Sequence, residues 1–116
     1  MMTIKELDKL NRELCEQIQR GDRSAEWTLC ERNKTLVDKC AQDCFTKYKP
    51  RLDIEDLLQV GYMGLIKAAK RFDMRKDFSF AAYAYYWVRQ VIEKEAADYG
   101  YLIRVPDNIM MRVNNP

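Results

Sequence analysis

Residues 53–71 read DIEDLLQVGYMGLIKAAKR, and residues 78–90 read FSFAAYAYYWVRQ. In both stretches apolar side chains recur every three or four residues, which is the period of an α-helix that packs on one side. Asp53 and Ser79 precede the two apolar series, at the position that an N-cap residue takes. The two stretches therefore predict two long amphipathic helices with a polar connector between them.

The rest of the chain continues this helical pattern. Thr3 followed by Glu6 has the spacing of a capping box, and Gly21 and Asn33 mark the ends of two further helices. Apolar residues of the first helix repeat at helical spacing: Leu7, Leu10, Leu14 and Ile18. No stretch shows the alternation of a β-strand. The sequence thus predicts an all-α protein, a compact bundle of five to six helices.

The composition is that of one small folded domain. The chain has 116 residues, of which 47% are apolar and 33% charged, so it is long enough for one core and unlike a disordered chain. It contains no histidine, which removes the commonest general base and the commonest metal ligand. No other acid–base pair stands out in the sequence. An enzyme is therefore the least favoured class, and no catalytic residue is assigned.

The cysteine pattern and the apolar runs indicate a reduced cytoplasmic protein. Cys40 and Cys44 are one helical turn apart, but neither a CxxC pair nor a histidine completes a zinc site. We expect all four cysteines (with Cys15 and Cys30) to be reduced thiols, and we expect no metal and no cofactor. The N-terminus lacks an export signal, and the longest apolar run, residues 80–88, is too short to span a membrane.

Charge is distributed unevenly although the whole chain carries only +2. Residues 51–66 contain one basic and three acidic side chains, a net charge of −2. Residues 67–76 contain five basic and one acidic side chain, a net charge of +4. This difference is explained either by matching of the helix dipole and solvation, or by an acidic partner-binding end and a phosphate-facing end.

The first long helix carries more apolar surface than one core contact needs. Its core stripe comprises Ile54, Leu57, Leu58, Gly61, Leu65, Ala68 and Phe72. A second apolar strip with polar neighbours lies on another face and comprises Tyr62, Met63 and Ile66. Such a strip is typical of a surface that binds a partner helix. A central helix that packs on both sides within its own domain explains it equally well.

The second long helix is unusually aromatic. Its inward stripe comprises Phe80, Ala84, Trp87, Val88 and Val91, whereas Tyr83, Tyr86, Gln90 and Lys94 share an adjacent face with Arg89 further round. Core packing is the common explanation for such rings. Tyrosines beside Gln, Arg and Lys also suit single-stranded nucleic acid, because bases stack on rings while cations meet phosphates.

The motifs in this order resemble region two of a bacterial sigma factor of the primary type, the promoter-recognition subunit of RNA polymerase. The resemblance extends over roughly residues 14–106 and rests on these motifs: DLLQVGYMGLIKA at 56–68, FD at 72–73, FSF at 78–80, Tyr83, WVRQ at 87–90 and IRVP at 103–106. The resemblance implies a helical region-two domain at residues 1–104, with preceding helices within 3–47. Residues 105–116 would begin the next sigma region, with Pro106 opening a short helix, and we expect the native chain to continue beyond Pro116.

The resemblance implies two partners and two sets of site residues. The RNA polymerase core would bind through its beta-prime coiled coil to Asp56, Gln59, Tyr62, Met63 and Ile66. The non-template strand of the promoter minus-ten element would bind to Phe78, Phe80, Tyr83, Tyr86, Trp87, Arg89, Gln90, Lys94 and Arg104. Within this set Tyr83 is the expected stacking ring, Gln90 and Lys94 lie near the upstream base pair, and Arg104 meets phosphate. An anti-sigma factor is a further candidate partner.

Departures from the family pattern favour an alternative sigma factor over a housekeeping one. Tyr86 precedes Trp87 where the family usually has Trp-Trp, and Ala81 and Ala82 replace Ser-Thr. Val60 and Tyr62 replace the usual Glu and Asn, which makes the predicted docking face more apolar. Two positions after Pro106 differ from the His and Glu that many members have: Asn108 and Met111.

Two hypotheses compete with a sigma domain that binds polymerase and melts minus-ten DNA. A protein–protein module that docks on polymerase or a regulator without promoter recognition would explain the departures at Tyr86, Ala81 and Ala82. A conventional helix-turn-helix repressor is weaker, because the aromatic helix offers few side chains suited to base edges in the major groove.

Overall fold

The computed structural model describes residues 2–48 and 53–100, and within them the chain is helical without any strand. The helices are α1 (Ile4–Gln19), α2 (Arg23–Arg32), α3 (Lys34–Tyr48), α4 (Ile54–Arg71) and α5 (Phe80–Glu95), followed by a π-helical turn (Ala96–Gly100). The predicted all-α bundle is therefore confirmed for the described residues. Arg104, the predicted final helix at Pro106 and the predicted next region at residues 105–116 lie outside them.

The two long helices of the sequence pattern form the centre of the bundle. α4 and α5 pack against each other over most of their length, α3 packs on both, and α1 packs on α2, α4 and α5. The largest fully buried side chains come from all five helices: Cys15, Leu29, Val37, Leu57, Leu65, Phe80, Val88 and Ile92. α4 and α5 thus expose their remaining faces side by side, and these faces carry the predicted site residues.

Two glycines bring α4 close to its neighbours. A Cβ atom at Gly61 would lie 2.8 Å from a methyl carbon of Val37 and 3.0 Å from one of Ile92. A Cβ atom at Gly64 would lie 2.5 Å from a methyl carbon of Val91. Cβ contacts in proteins are rarely this short. The absence of a side chain at Gly61 and Gly64 therefore allows α4 to pack this closely against α3 and α5.

The predicted helix ends agree with the structure. Thr3 and Glu6 form the capping box, with 3.1 Å between the Glu6 amide and the Thr3 hydroxyl and 2.8 Å for the reciprocal bond. Gly21 adopts φ +98° after α1, a left-handed conformation that favours glycine. The hydroxyl of Ser79 accepts a hydrogen bond from the Ala82 amide at the start of α5.

The packed face of α1 differs from the predicted apolar stripe. Asn11, Cys15 and Ile18 are buried on this helix, whereas Leu7 is exposed. The amide nitrogen of the buried Asn33 side chain donates to the Asn11 side-chain oxygen at 3.0 Å and to the Leu29 carbonyl oxygen at 2.9 Å. This polar pair joins α1 to the α2–α3 junction, and the N-terminal end of the leucine stripe is exposed to solvent at Leu7.

Burial keeps the four free cysteines protonated. Cys15 is fully buried, and burial raises the pKa of its thiol to about 12. Burial likewise raises the pKa of Cys30 and of Cys40 to about 11, and it raises the pKa of Cys44. A thiolate is the nucleophilic form of cysteine, so these positions lack the lowered pKa of a reactive cysteine. Within the described residues no three metal-ligating side chains cluster.

Because burial raises the pKa values of the thiols, we expect the folded state to lose stability at high pH. Unfolded cysteines ionise near their ordinary pKa of 9.0, whereas Cys15 ionises only near 12 in the folded chain. Between these values the unfolded state binds fewer protons, so the free energy of unfolding falls as pH rises above about 9. We expect a lower urea midpoint at pH 10 than at pH 8. Cys15→Ala removes one such group and is expected to reduce this pH dependence; an unchanged dependence in that variant would contradict the assignment.

Among the described helices, none combines the length and the apolar character that crossing a membrane requires.

Candidate functional site

A cluster of five aromatic rings lies where the connector meets α5, and Phe72 is at its centre. The Phe72 ring makes edge contacts with Phe80 at 5.4 Å and Phe78 at 6.0 Å between ring centroids, and a tilted contact with Tyr83 at 5.4 Å. Phe78 stacks on Tyr83 with ring planes 17° apart and centroids at 5.9 Å. Tyr83 in turn contacts Trp87 at 6.3 Å. The connector and the first turns of α5 thus form one continuous aromatic patch.

The rings of this cluster differ in their access to solvent. Phe78 is 45% exposed, and Tyr83 and Trp87 are half-buried. Phe80 is fully buried, so it is a core residue that a DNA strand does not reach in this structure. The predicted role of Phe80 in contacting DNA is therefore corrected to a packing role. The accessible part of the patch, called the aromatic face below, consists of Phe78, Tyr83 and Trp87.

Further predicted residues continue along the same side of α5. A helix advances about 100° per residue, so Tyr86, Gln90 and Lys94 lie on the side of α5 that carries Tyr83. Tyr86 is 70% exposed, and Gln90 and Lys94 are also exposed. The Lys94 ammonium forms an ion pair with Asp98 at 2.7 Å. These side chains extend the aromatic face by about two helical turns.

Arg89 lies away from the aromatic face. It lines a cleft between α3 and α5 together with Tyr85 and the two cysteines of α3, Cys40 and Cys44. Its guanidinium forms an ion pair with Glu93 at 3.1 Å. The structure therefore does not bring Arg89 together with the other predicted DNA-binding residues of this helix.

Two arginines lie beside the aromatic face, and the sequence pattern did not indicate their contacts with aromatic rings. The guanidinium of Arg71, at the end of α4, lies 5.3 Å from the centroid of the Trp87 ring. The guanidinium of Arg12, on α1, lies 5.0 Å from the centroid of the Phe72 ring. Both distances are those of cation–π contacts. Each contact joins residues that are far apart in the chain, so no local pattern in the sequence could have indicated it.

The connector is shaped by a local ion pair. Asp73 accepts hydrogen bonds from the backbone amide of Arg75 at 3.0 Å and from its Nε at 3.1 Å. These bonds lower the pKa of the Asp73 carboxyl to about 2. Of the five basic side chains in residues 67–76, Arg75 is thus paired locally. Lys67 and Lys70, on α4, line a groove toward α5.

The predicted polymerase-binding residues occupy two separate grooves of α4. Met63, which is 67% exposed, and the half-buried Ile66 line a groove of about 350 Å³ between α4 and α5. Its other lining residues are Val60, Gly64, Lys67, Lys70, Val91 and Glu95. Tyr62 instead lines a groove toward α2 beside Trp27, and burial raises the pKa of its hydroxyl.

The remaining two predicted docking residues lie near the start of α4 and are exposed. Asp56 accepts a hydrogen bond from the backbone amide of Asp53 at 3.2 Å and so belongs to the capping box of the helix. Gln59 follows one turn later, on the side that carries Met63 and Ile66. The surface formed by Asp56, Gln59, Met63 and Ile66 is called the α4 strip below, and Tyr62 is outside it.

Known proteins match this chain over most of its length. Residues 29–99, which contain α3, α4 and α5, match the model of the Sigma-70 region 2 family. The chain belongs to this family. The RNA polymerase sigma factor SigA of Clostridium acetobutylicum and that of a Bacillus species are each 40% identical to it over 103 residues. These alignments cover 88% of this chain and 26% of each relative, so the chain spans about a quarter of their length.

The family assignment confirms the resemblance that the sequence motifs indicated. Within the Sigma-70 region 2 match lie both the α4 strip and the aromatic face, whereas α1 precedes the matched residues. Arg12, which contacts the Phe72 ring, therefore lies outside the residues that match the family model.

Proposed function

We propose that this Sigma-70 region 2 domain binds the RNA polymerase core and captures unpaired bases of the promoter minus-ten element, without catalysing a reaction. The observation that supports it best is the stacked pair of Phe78 and Tyr83, which is accessible to solvent at the start of α5. Its place of action would be the cytoplasm, together with polymerase. The partner surfaces would be the aromatic face for the non-template DNA strand and the α4 strip for the beta-prime coiled coil.

The aromatic face has the chemistry that an unpaired base requires. Stacking of a base on an aromatic side chain contributes roughly 1–3 kcal/mol, and removing a base from its duplex costs a few kcal/mol. A single ring does not offset that cost, but the contiguous rings of Phe78, Tyr83 and Trp87 provide several stacking surfaces within one patch. Arg71 adds a cation at the rim, where a phosphate of the same strand would lie.

The face also has a direction along α5. Gln90 and Lys94 follow the rings toward the C-terminal end of the helix, where they would meet the upstream base pair that is still closed. Their exposed amide and ammonium groups can reach base edges and phosphates. Arg104 remains a proposed phosphate contact that lies outside the described residues. Arg89 is excluded from this face because it lines the cleft toward α3.

The α4 strip suits a helical partner. Met63 and Ile66 are one turn apart beside an apolar groove, and the lysines Lys67 and Lys70 border that groove. An amphipathic helix that inserts apolar side chains into such a groove uses the common helix-in-groove mode of recognition. Asp56 and Gln59 would add polar contacts at the other end of the strip.

Removal of the Tyr83 ring tests the DNA proposal. We expect Tyr83→Ala to weaken binding of a fluorescent non-template minus-ten oligonucleotide by about tenfold or more, because a stacking surface is lost. Tyr83→Phe keeps the ring and should bind nearly as well as the unchanged chain. The measurement is fluorescence anisotropy, with and without a beta-prime coiled-coil peptide.

Tyr85→Ala is the matched control for this experiment. It removes the same kind of ring from the same helix, but Tyr85 lines the cleft toward α3. Its affinity for the oligonucleotide should stay within about twofold of the unchanged chain. Unchanged binding in both Tyr83→Ala and Trp87→Ala would mean that the aromatic face only packs the fold, and the DNA proposal would be wrong.

A second candidate function is a protein–protein module that docks on polymerase or a regulator, such as an anti-sigma factor, without promoter recognition. Trp27 favours it: this ring is 69% exposed on α2, away from the aromatic face, in a groove that it shares with Tyr62. Co-purification of polymerase core without promoter-directed initiation would support the module. Abortive transcripts from a minus-ten promoter in a reconstituted reaction would exclude it.

We further propose that this chain belongs to an alternative sigma factor. The exposed Tyr86 provides a smaller wedge beside Trp87 than a second indole would. Ala81 and Ala82 are exposed and offer no hydroxyl to the strand. Val60 lies at the apolar groove of α4. Transcription from a panel of promoter sequences would test this: preference for a housekeeping minus-ten sequence would overturn it.

A further inference from the structure

One arginine of α1 holds the connector that leads from α4 to α5 (residues 72–79). The Arg12 guanidinium donates hydrogen bonds to backbone carbonyl oxygens of this connector: from Nη1 to Met74 at 3.0 Å, and from Nη2 to Lys76 at 3.0 Å and to Phe78 at 2.7 Å. Arginine is suited to this role because its rigid fork presents five donors. A segment without regular secondary structure thereby receives partners for its carbonyl groups from a distant helix.

Asp8 completes this arrangement one turn earlier on α1. Its Oδ2 accepts from Arg12 Nε at 2.8 Å, and its Oδ1 accepts from the backbone amide of Phe80 at 2.8 Å. Both side chains are about three-quarters covered, with 25% of Arg12 and 23% of Asp8 exposed. The carboxylate therefore orients the guanidinium and at the same time ties α1 to the first residue of α5.

We propose that Arg12 and Asp8 are positioning residues that hold Phe78 stacked on Tyr83 and thereby set the affinity for single-stranded DNA. This inference rests on the proposed function. Phe78 belongs to the connector and lacks helical hydrogen bonds of its own, whereas Tyr83 is held by α5. The shortest of the three connector bonds, to the Phe78 carbonyl, fixes the backbone that carries one ring of the stacked pair.

The effect on binding follows from preorganisation. A ring that is already oriented loses little conformational freedom when a base stacks on it, and a mobile ring loses more. The hydrogen bonds to the Lys76 and Phe78 carbonyls are exposed and the one to Met74 is partly buried, so water can replace the lost donors of Arg12 while the core remains intact. Loss of Arg12 is therefore expected to disorder the stacked pair without unfolding the bundle.

The test compares Arg12→Gln with two controls on the same helix. Arg20→Gln removes an ion pair of the same spacing, Arg20 to Glu16 at 3.6 Å, that does not reach the connector. Ile18→Val removes one methylene from a buried side chain and lowers stability modestly. The measurements are the urea midpoint, oligonucleotide affinity and the NMR ring-proton shifts of Phe78 and Tyr83.

We expect Arg12→Gln to weaken oligonucleotide binding by roughly tenfold and to move the ring-proton shifts toward unstacked values. Both controls should keep the affinity and the shifts of the unchanged chain, even where Ile18→Val has the lower urea midpoint. Arg12→Lys should recover only part of the affinity, because an ammonium group lacks the planar fork.

The two readouts separate this inference from the proposed function. Ring shifts that stay unchanged in Arg12→Gln, or an equal loss of affinity in Ile18→Val, would overturn the positioning role. The proposed function would be wrong if the unsubstituted chain bound the minus-ten oligonucleotide no better than an oligonucleotide of scrambled sequence. This would hold even if Arg12→Gln moved the ring-proton shifts.

Discussion

Phe80→Ala is expected to lower the free energy of unfolding by about 3–5 kcal/mol. Phe80 is fully buried, and its ring makes an edge contact with Phe72 at 5.4 Å between centroids. The truncation would leave a cavity between α1, α4 and α5 that their side chains refill only in part. Because a domain of this size has about 5–15 kcal/mol of stability, the variant should be partly unfolded at physiological temperature. Urea unfolding followed by circular dichroism measures the loss.

A pair of leucine variants separates packing from DNA binding at this site. Phe80→Leu keeps an apolar side chain in the core and should retain both most of the stability and the oligonucleotide affinity. Phe78→Leu removes a ring that is 45% exposed, so it should retain the stability and lose affinity. If Phe80→Leu instead lost affinity while the chain stayed stable, the Phe80 ring would contact DNA.

Met63→Asp is expected to weaken binding of the beta-prime coiled-coil peptide by roughly 30-fold or more, the effect of losing a central apolar contact. Met63 is 67% exposed and lies beside the apolar groove of α4 and α5. The change places a carboxylate where the partner helix would insert apolar side chains, and covering this charge with the partner would carry a desolvation cost. Isothermal titration calorimetry with the peptide measures the affinity.

Trp27→Ala is the control of matched exposure for this prediction. Trp27 is 69% exposed, but it lies in the other groove of α4 with Tyr62. Peptide affinity should change little in this variant, and the stability of both variants should remain close to that of the unchanged chain. If Trp27→Ala weakened peptide binding as much as Met63→Asp does, the docking surface would be the groove toward α2 rather than the α4 strip.

The sequence pattern predicted the α4 strip only in part. Helical spacing showed that Tyr62, Met63 and Ile66 lie off the core stripe, but it could not show which neighbouring helix lies on each side. The structure places α2 beside Tyr62 and α5 beside Met63 and Ile66. The division arises because four helices pack around α4, and their order is not encoded in the periodicity of α4 itself.

The sequence likewise contained only part of the information on which rings of the aromatic cluster are accessible. Phe78 and Phe80 are the same residue type two positions apart, and the family resemblance implied a DNA contact for both. Phe80 begins α5 and faces its buried stripe, whereas Phe78 precedes the helix and is held by Arg12 of α1. Helical spacing alone placed Phe80 on the inward stripe, whereas the exposure of Phe78 depends on neighbours that are distant in the chain, so the sequence alone did not establish it.

The sequence by itself determined the helices, their ends and the family. A capping box or a left-handed glycine involves residues within about four positions of each other, so Thr3, Asp53, Ser79 and Gly21 revealed their roles locally. Only the tertiary structure decided which rings remain accessible, which cleft Arg89 lines, and that Arg12 and Arg71 border the rings. These features are contacts between helices far apart in sequence, and packing selects them for the bundle as a whole.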